Sequence, residues 1–199
     1  MRTRALAAIL ILLAATTVRP AAAQWRIGFD LATTQYRGSA RDTSGMPNVR
    51  PGDATSVALR VERRFGQLSG VMRFSYGKPG LTFAGKGLTV TDKTSGQLLE
   101  AASLLGFHVA RVGGGASGAV RAELGPTLHL WKFGDEIRLR VGAVGAAAYE
   151  WPVVGRFAGA IRLEGMLSPS WFDAADLPPE YERRVTWRYG VSLGLRYGL

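Results

Sequence analysis

The last fifteen residues constrain this chain more than any other stretch. From Val185 onward the side chains alternate without a slip. Val185, Trp187, Tyr189, Val191, Leu193, Leu195, Tyr197 and Leu199 fall on one side; Thr186, Arg188, Gly190, Ser192, Gly194, Arg196 and Gly198 fall on the other. A period of two places successive side chains on opposite faces of an extended strand. At about 3.3 Å per residue this strand is roughly twice the usual globular length. Its apolar face carries aromatics near both ends, as a membrane-spanning β-strand does when aromatic girdles sit at the two bilayer interfaces. Such a strand needs partners, because unpaired backbone groups are not tolerated in lipid.

Seven earlier segments supply them. Trp25, Ile27, Phe29 and Leu31 alternate with Arg26, Gly28, Asp30 and Ala32. Val57, Leu59, Val61 and Phe65 alternate with Arg60, Glu62 and Arg64; after Gly66-Gln67, Met72, Phe74 and Tyr76 return against Val71, Arg73 and Ser75. A fourth strand spans about 98 to 110, with Glu100, Gly106 and His108 on one face. Strands through Val120–Trp131, Ile137–Tyr149 and Phe157–Leu167 follow, with a turn expected over Trp151-Pro152. Long connections cover 38–54, 78–96 and 169–184; the second contains Leu81-Thr82-Phe83 and Leu88-Thr89-Val90 around Gly85-Lys86-Gly87, a hairpin signal with arms too short to cross a bilayer. Three short connections fall on one end, and three of the four on the other end are long. The expected fold is all-β, an eight-stranded antiparallel up-and-down transmembrane β-barrel with periplasmic turns and extracellular loops.

Residues 1–23 have the pattern of a secretory signal: Arg2 and Arg4, an apolar run from Ala5 to Ala15, and Ala21-Ala22-Ala23 before Gln24. Eleven apolar residues are too few to span a bilayer as a helix. The expected organisation is a signal peptide over 1–23 and one barrel domain over 24–199. Its removal takes away three arginines and no acid, lowering the net charge from +10 to +7. No cysteine is present, which excludes disulfides, thiolate metal sites and a lipidated cysteine. The arginines are dispersed singly among apolar residues, and no basic stripe for nucleic acid emerges.

The polar face decides the orientation of the strands. It holds Arg, Glu, Gly, Ser and Ala, a mixture that fills a narrow bore, while all four lysines (78, 86, 93 and 132) lie in loops or at strand ends. A soluble barrel would turn the apolar face inward; here the polar face is expected inside. Trp25, Phe65, Phe107, Tyr149, Phe157 and Tyr197 then form one outward aromatic belt at the turn end, and Tyr76, Trp187 and Tyr189 a second at the loop end. On this pattern residues 24–199 resemble the small eight-stranded outer-membrane β-barrel family, of the OmpA/OmpX type. The resemblance implies a bacterial outer-membrane location and assembly by the barrel assembly machinery. The family's closing strand usually ends in Phe or Trp, whereas this one ends in Tyr197-Gly198-Leu199.

A narrow interior makes its charges structural first. If Arg64 faces Val71 across the turn, Glu62 meets Arg73, and Glu164 is expected near Arg140 and Arg188; buried charges need such partners. His108 and His129 belong near opposite ends of adjacent strands, and neither is followed two residues on by a serine, so neither a zinc site nor a deacylase-like arrangement is expected. The acidic residues of the last loop (Asp173, Asp176, Glu180, Glu182) lack EF-hand spacing. Arg37, Lys78, Lys132, Arg183 and Arg184 fall where strands meet extracellular loops, a rim that suits lipopolysaccharide phosphates. The expected role is structural or surface-interacting, as a monomer among outer-membrane lipids, without cofactor or metal. A narrow channel for small solutes or ions and a lipid-modifying enzyme are the alternatives.

Overall fold

The computed structural model describes residues 24–199 apart from 39, 43–47, 86–87, 93–95, 114–117, 174 and 176. The expected signal segment over 1–23, Lys86, Lys93 and Asp176 lie outside the described residues. The strands are β1 (Trp25–Arg37), β2 (Ala40–Asp42), β3 (Asn48–Pro51), β4 (Ala54–Phe65), β5 (Leu68–Gly77), β6 (Leu81–Gly85) and β7 (Leu88–Asp92). They continue with β8 (Gly96–Val112), β9 (Gly118–Phe133), β10 (Glu136–Val154), β11 (Phe157–Ser168), β12 (Tyr181–Arg183) and β13 (Thr186–Gly198). Eight of them close on themselves in the order β1-β13-β11-β10-β9-β8-β5-β4, every neighbour antiparallel.

Closure depends on β1, which pairs on one edge with β13 (Leu31 opposite Leu193) and on the other with β4 (Phe29 opposite Leu59). No edge of the barrel is left to bond elsewhere, the condition for a sheet in lipid. The alternation sets the faces. Leu59, Leu124, Leu163 and Leu193 point outward, all more than 60% exposed, while Arg60, Glu123, Arg162 and Ser192 beside them are at most 4% exposed. The protein is thus inside out relative to a soluble barrel, with an apolar exterior and a charged core. The two aromatic belts lie as the alternation predicts: Trp25, Phe65, Phe107 and Phe157 at the turn end, Tyr76, Trp187 and Tyr189 at the loop end, each 40–55% exposed.

Tight turns set the registers. Gly66, Gly134 and Gly155 open two-residue turns with φ of 66°, 57° and 55°, a left-handed conformation that the twist of a hairpin requires and that glycine adopts without steric cost. The turn after Gly66 pairs Phe65 with Leu68, and hence Glu62 with Val71 and Arg60 with Arg73. This differs from the expected Arg64–Val71 pairing by two residues: the alternation is kept, so every side chain stays on its face, but its level along the partner strand changes. The next hairpin also differs from expectation. Trp151-Pro152 does not end the strand; β10 continues to Val154 through an irregularity between Pro152 and Val154, the kind of place where a strand tolerates proline, and Gly155-Arg156 makes the turn.

The long connections are not irregular throughout. The hairpin expected around 85–87 forms as β6 and β7. It joins a five-stranded sheet in the order β12-β2-β3-β6-β7, so that all three long connections contribute strands to one sheet at the loop end.

Candidate functional site

The bore of the barrel is filled by an alternating chain of acids and bases. Arg26 and Arg121 hold Glu150 at 2.9 and 3.0 Å. Arg121 also reaches Glu62 at 2.7 Å, and Glu62 faces Arg60 at 3.3 Å. Glu123 pairs with Arg60 and, at 3.1 Å, with Arg162. Glu164 pairs with Arg162 and, at 3.1 Å, with Arg188, and Arg188 bonds Glu100 at 2.6 Å. His129 Nε2 stands 3.5 Å from Glu100, and Asp30 pairs with Arg196 at 2.6 Å. Among the described residues, six arginines (60, 73, 121, 162, 188, 196) and six carboxylates (30, 62, 100, 123, 150, 164) are buried in this way. The core therefore balances its formal charge. This balance answers the cost of removing each ion from water, which only close and hydrogen-bonded partners offset.

The expected interior pairs fall differently within this network. Glu164 meets Arg188, but Arg140 is half-buried at the loop end, where it bonds Asp173 at 2.7 Å and the carbonyls of Ser170 and Trp171. Glu62 and Arg73 do not pair. The two-residue turn brings Arg60 opposite Arg73, and Arg73 turns instead to Glu100 at 3.3 Å and Glu164 at 3.5 Å. Glu100, Glu123, Arg121 and Arg162 carry the network across the bore and were missed as site residues. Their signal was their position on the inward parity of mid-strand segments.

Above the charges the bore is closed by rings. Tyr36, Leu98, Trp131 and Trp171 are buried together, with Leu81, Phe133 and Phe172 packed against them. Trp171 stacks on Phe133 with centroids 3.9 Å apart, and Arg138 lies 5.8 Å from the Trp171 ring. Trp131 lies on the inward parity of β9 and was legible in the alternation; Trp171 comes from a segment expected as loop. Around this plug the loop-end rim holds Arg37, Lys78, Lys132, Arg183 and Arg184, all exposed. Arg184 pairs with Glu182 at 3.0 Å, and Arg37 lies 5.9 Å from the Tyr189 ring. The two histidines are separated: His129 is buried beside Glu100, whereas His108 lines a hollow at the turn end with Arg26, Arg64 and Arg111. No group of three or more metal-ligating side chains occurs among the described residues.

No known family model and no curated protein sequence matches the chain. Solved structures do match in shape. Neisserial surface protein A (NspA) aligns over 87% of this chain and 96% of its own, with 10% identity and a TM-score of 0.55. The attachment invasion locus protein Ail of Yersinia pestis aligns over 88% and 99%, with 11% identity and a TM-score of 0.43. With the closed eight-strand circuit, the likeness to NspA shows the fold: that of the small eight-stranded outer-membrane β-barrels.

Proposed function

We propose that this protein is an outer-membrane barrel, exported with removal of residues 1–23, whose role is structural and surface-interacting rather than catalytic or conductive. The observation that carries this reading is the second sheet. Three connections far apart in sequence converge on five strands at one end of the barrel, an ordered surface and not three independent loops. It presents Phe83, Leu88 and Val90 to solvent at 42%, 67% and 52% exposure. Connections on a rigid scaffold are where binding residues concentrate.

The rim beside that sheet extends the proposal to lipopolysaccharide. Arg37, Lys78, Lys132, Arg183 and Arg184 stand at the height where strands leave the bilayer, and cations there suit lipid phosphates. The charged bore and its ring plug speak against passage of solutes. A deacylase-like centre would need a histidine beside a nucleophile, whereas His108 sits among arginines and His129 against a carboxylate.

Expression followed by outer-membrane fractionation tests the scaffold. The mature chain is expected to begin at Gln24, to resist extraction without detergent and to run faster on gels when unheated. Replacing 39–53, 79–95 and 169–185 by short turns should preserve these properties while removing any partner binding. Lys78→Glu with Lys132→Glu and Arg183→Glu should lower the lipopolysaccharide that co-purifies; equal retention would overturn the rim assignment. Lipid A altered in mass on expression would overturn the non-catalytic reading.

A further inference from the structure

The turn end of the barrel differs from the interior in charge balance. Two adjoining hollows of about 520 and 630 Å³ open there and share Gln24, Arg64, His108 and Arg111; the first also reaches Arg26 and Arg156. Four arginines therefore face one concavity. Among the described lining residues the one acidic side chain, Glu150, is 6% exposed and already held by Arg26 and Arg121, and the α-carboxylate of Leu199, which also lines the first hollow, leaves the four arginines in excess. Arg64 makes only a 3.7 Å contact with Glu62, and among the described residues no carboxylate pairs with Arg111 or Arg156. Inside the bore every buried arginine has a carboxylate within 4 Å; at this mouth, among the described residues, Arg111 and Arg156 have none and Arg64 has only its 3.7 Å contact with Glu62.

We propose that this mouth is an anion-binding vestibule that takes a phosphate group through Arg64, Arg111 and Arg156. The chemistry follows from the shape and the charge. A guanidinium offers a planar fork of donors matched to phosphate oxygens, and several lining one concave wall bind a multiply charged anion better than any one alone. Two unpaired cations beside a third held only at 3.7 Å suit a phosphate, with two or more charges, better than a lone carboxylate. The phosphate can belong to a soluble periplasmic molecule or to a headgroup of the inner-leaflet lipids, since the vestibule opens at the turn-end aromatic belt beside Phe157 and Trp151.

The two histidines provide an internal probe and its control. His108 lines the vestibule, and His129 is fully buried against Glu100. With ring-labelled histidine in the folded barrel, in an uncharged maltoside detergent free of phosphate, pyrophosphate is expected to shift the His108 resonance saturably and leave His129 unmoved. Arg64→Gln, Arg111→Gln and Arg156→Gln together should weaken this binding by roughly tenfold or more. Lys78→Gln, Lys132→Gln and Arg183→Gln at the opposite rim should leave it unchanged. Repeating the titration in nanodiscs separates the sources. A soluble ligand gives the same response in phosphatidylcholine and phosphatidylglycerol, whereas a headgroup ligand moves His108 in phosphatidylglycerol before pyrophosphate is added. No saturable His108 shift under any of these conditions, or an equal loss in the loop-end variant, would overturn the proposal.

Discussion

Arg60 and Arg73 stand directly opposite one another on the inner faces of β4 and β5, yet each also finds a carboxylate on another strand. Arg60 reaches Glu123 on β9, across the bore, and Arg73 reaches Glu164 on β11 and Glu100 on β8. Two like charges facing each other are tolerated because the bore is narrow enough for each to find an acid on a strand it does not adjoin. The interior is thus one connected network whose members couple across the barrel as well as along its hairpins.

That connectivity is measurable at Glu62, which touches Arg121 at 2.7 Å and Arg60 at 3.3 Å but does not pair with Arg73. Glu62→Ala is expected to destabilise the folded barrel by about 3–5 kcal/mol, because it leaves buried guanidinium groups short of a partner. In double-mutant cycles by urea unfolding, Glu62 and Arg121 should couple by about 1 kcal/mol or more, and Glu62 and Arg73 by less than about 0.5. Strong coupling to Arg73 would mean that the β4–β5 register is wrong.

How much of this was visible in the sequence follows from what a period of two can encode. Alternation assigns every residue to a face, and a register error of two leaves that assignment intact. Hence the inward set of Glu62, Arg73, Glu164 and Arg188 was legible. Level along the axis is another matter. It depends on turns such as Gly66-Gln67 and on the stagger with which eight strands close, so contacts between non-adjacent strands, like Arg60–Glu123, leave no trace in local spacing. Arg140 was misplaced for the same reason: its parity is right, but its level belongs to the loop end. The second sheet escaped notice because β2, β3 and β12 have three, four and three residues, too short for alternation to stand out. Trp171 gave a weak sign, a large apolar ring next to Phe172 in a polar stretch.

The ring plug makes a separate prediction. Trp131 is 1% exposed and touches Tyr36, Phe133 and Trp171 with centroids 5.8, 5.7 and 6.5 Å away. Trp131→Ala should cost about 3–5 kcal/mol by removing this buried ring. It should not open a conductive path, because the ion-pair network below still fills the bore. Planar-bilayer recordings of the parent protein and the variant should both lack steady unitary currents. Currents from the parent would favour a narrow channel.

Glycines on the barrel wall make a test of packing at the atomic level. A Cβ on Gly125 would collide with the carbonyl oxygen of Ser103, at the place where the β8–β9 ladder skips Ser103–Leu104 and Gly125–Pro126, beside a proline that has no N–H to donate. A Cβ on Gly165 would meet nothing within 4 Å. Gly125→Ala is therefore expected to destabilise by about 1–3 kcal/mol, and Gly165→Ala to stay within about 0.5 kcal/mol of the parent. Equal midpoints in parallel unfolding curves would show that β8 and β9 approach less closely than described.

The membrane reading itself turns on the outward face at mid-height. Leu193 lies near the centre of β13, between Leu31 on β1 and Ile161 on β11, and is 61% exposed. If that face meets lipid, Leu193→Arg places a charge near the bilayer midplane and should cost about 2–4 kcal/mol in refolding into phospholipid vesicles. Leu199→Arg, at the turn-end boundary, should cost at most about 1 kcal/mol, because the penalty falls toward the interface. A barrel whose apolar face met water would behave otherwise. Both substitutions would then lie on a solvated surface and change stability by less than about 0.5 kcal/mol, with no dependence on height. A depth profile along β13, with arginine placed in turn at Tyr189, Val191, Leu193, Leu195 and Tyr197, should peak at the centre and fall to either side. A flat profile would remove the bilayer from the account of this fold.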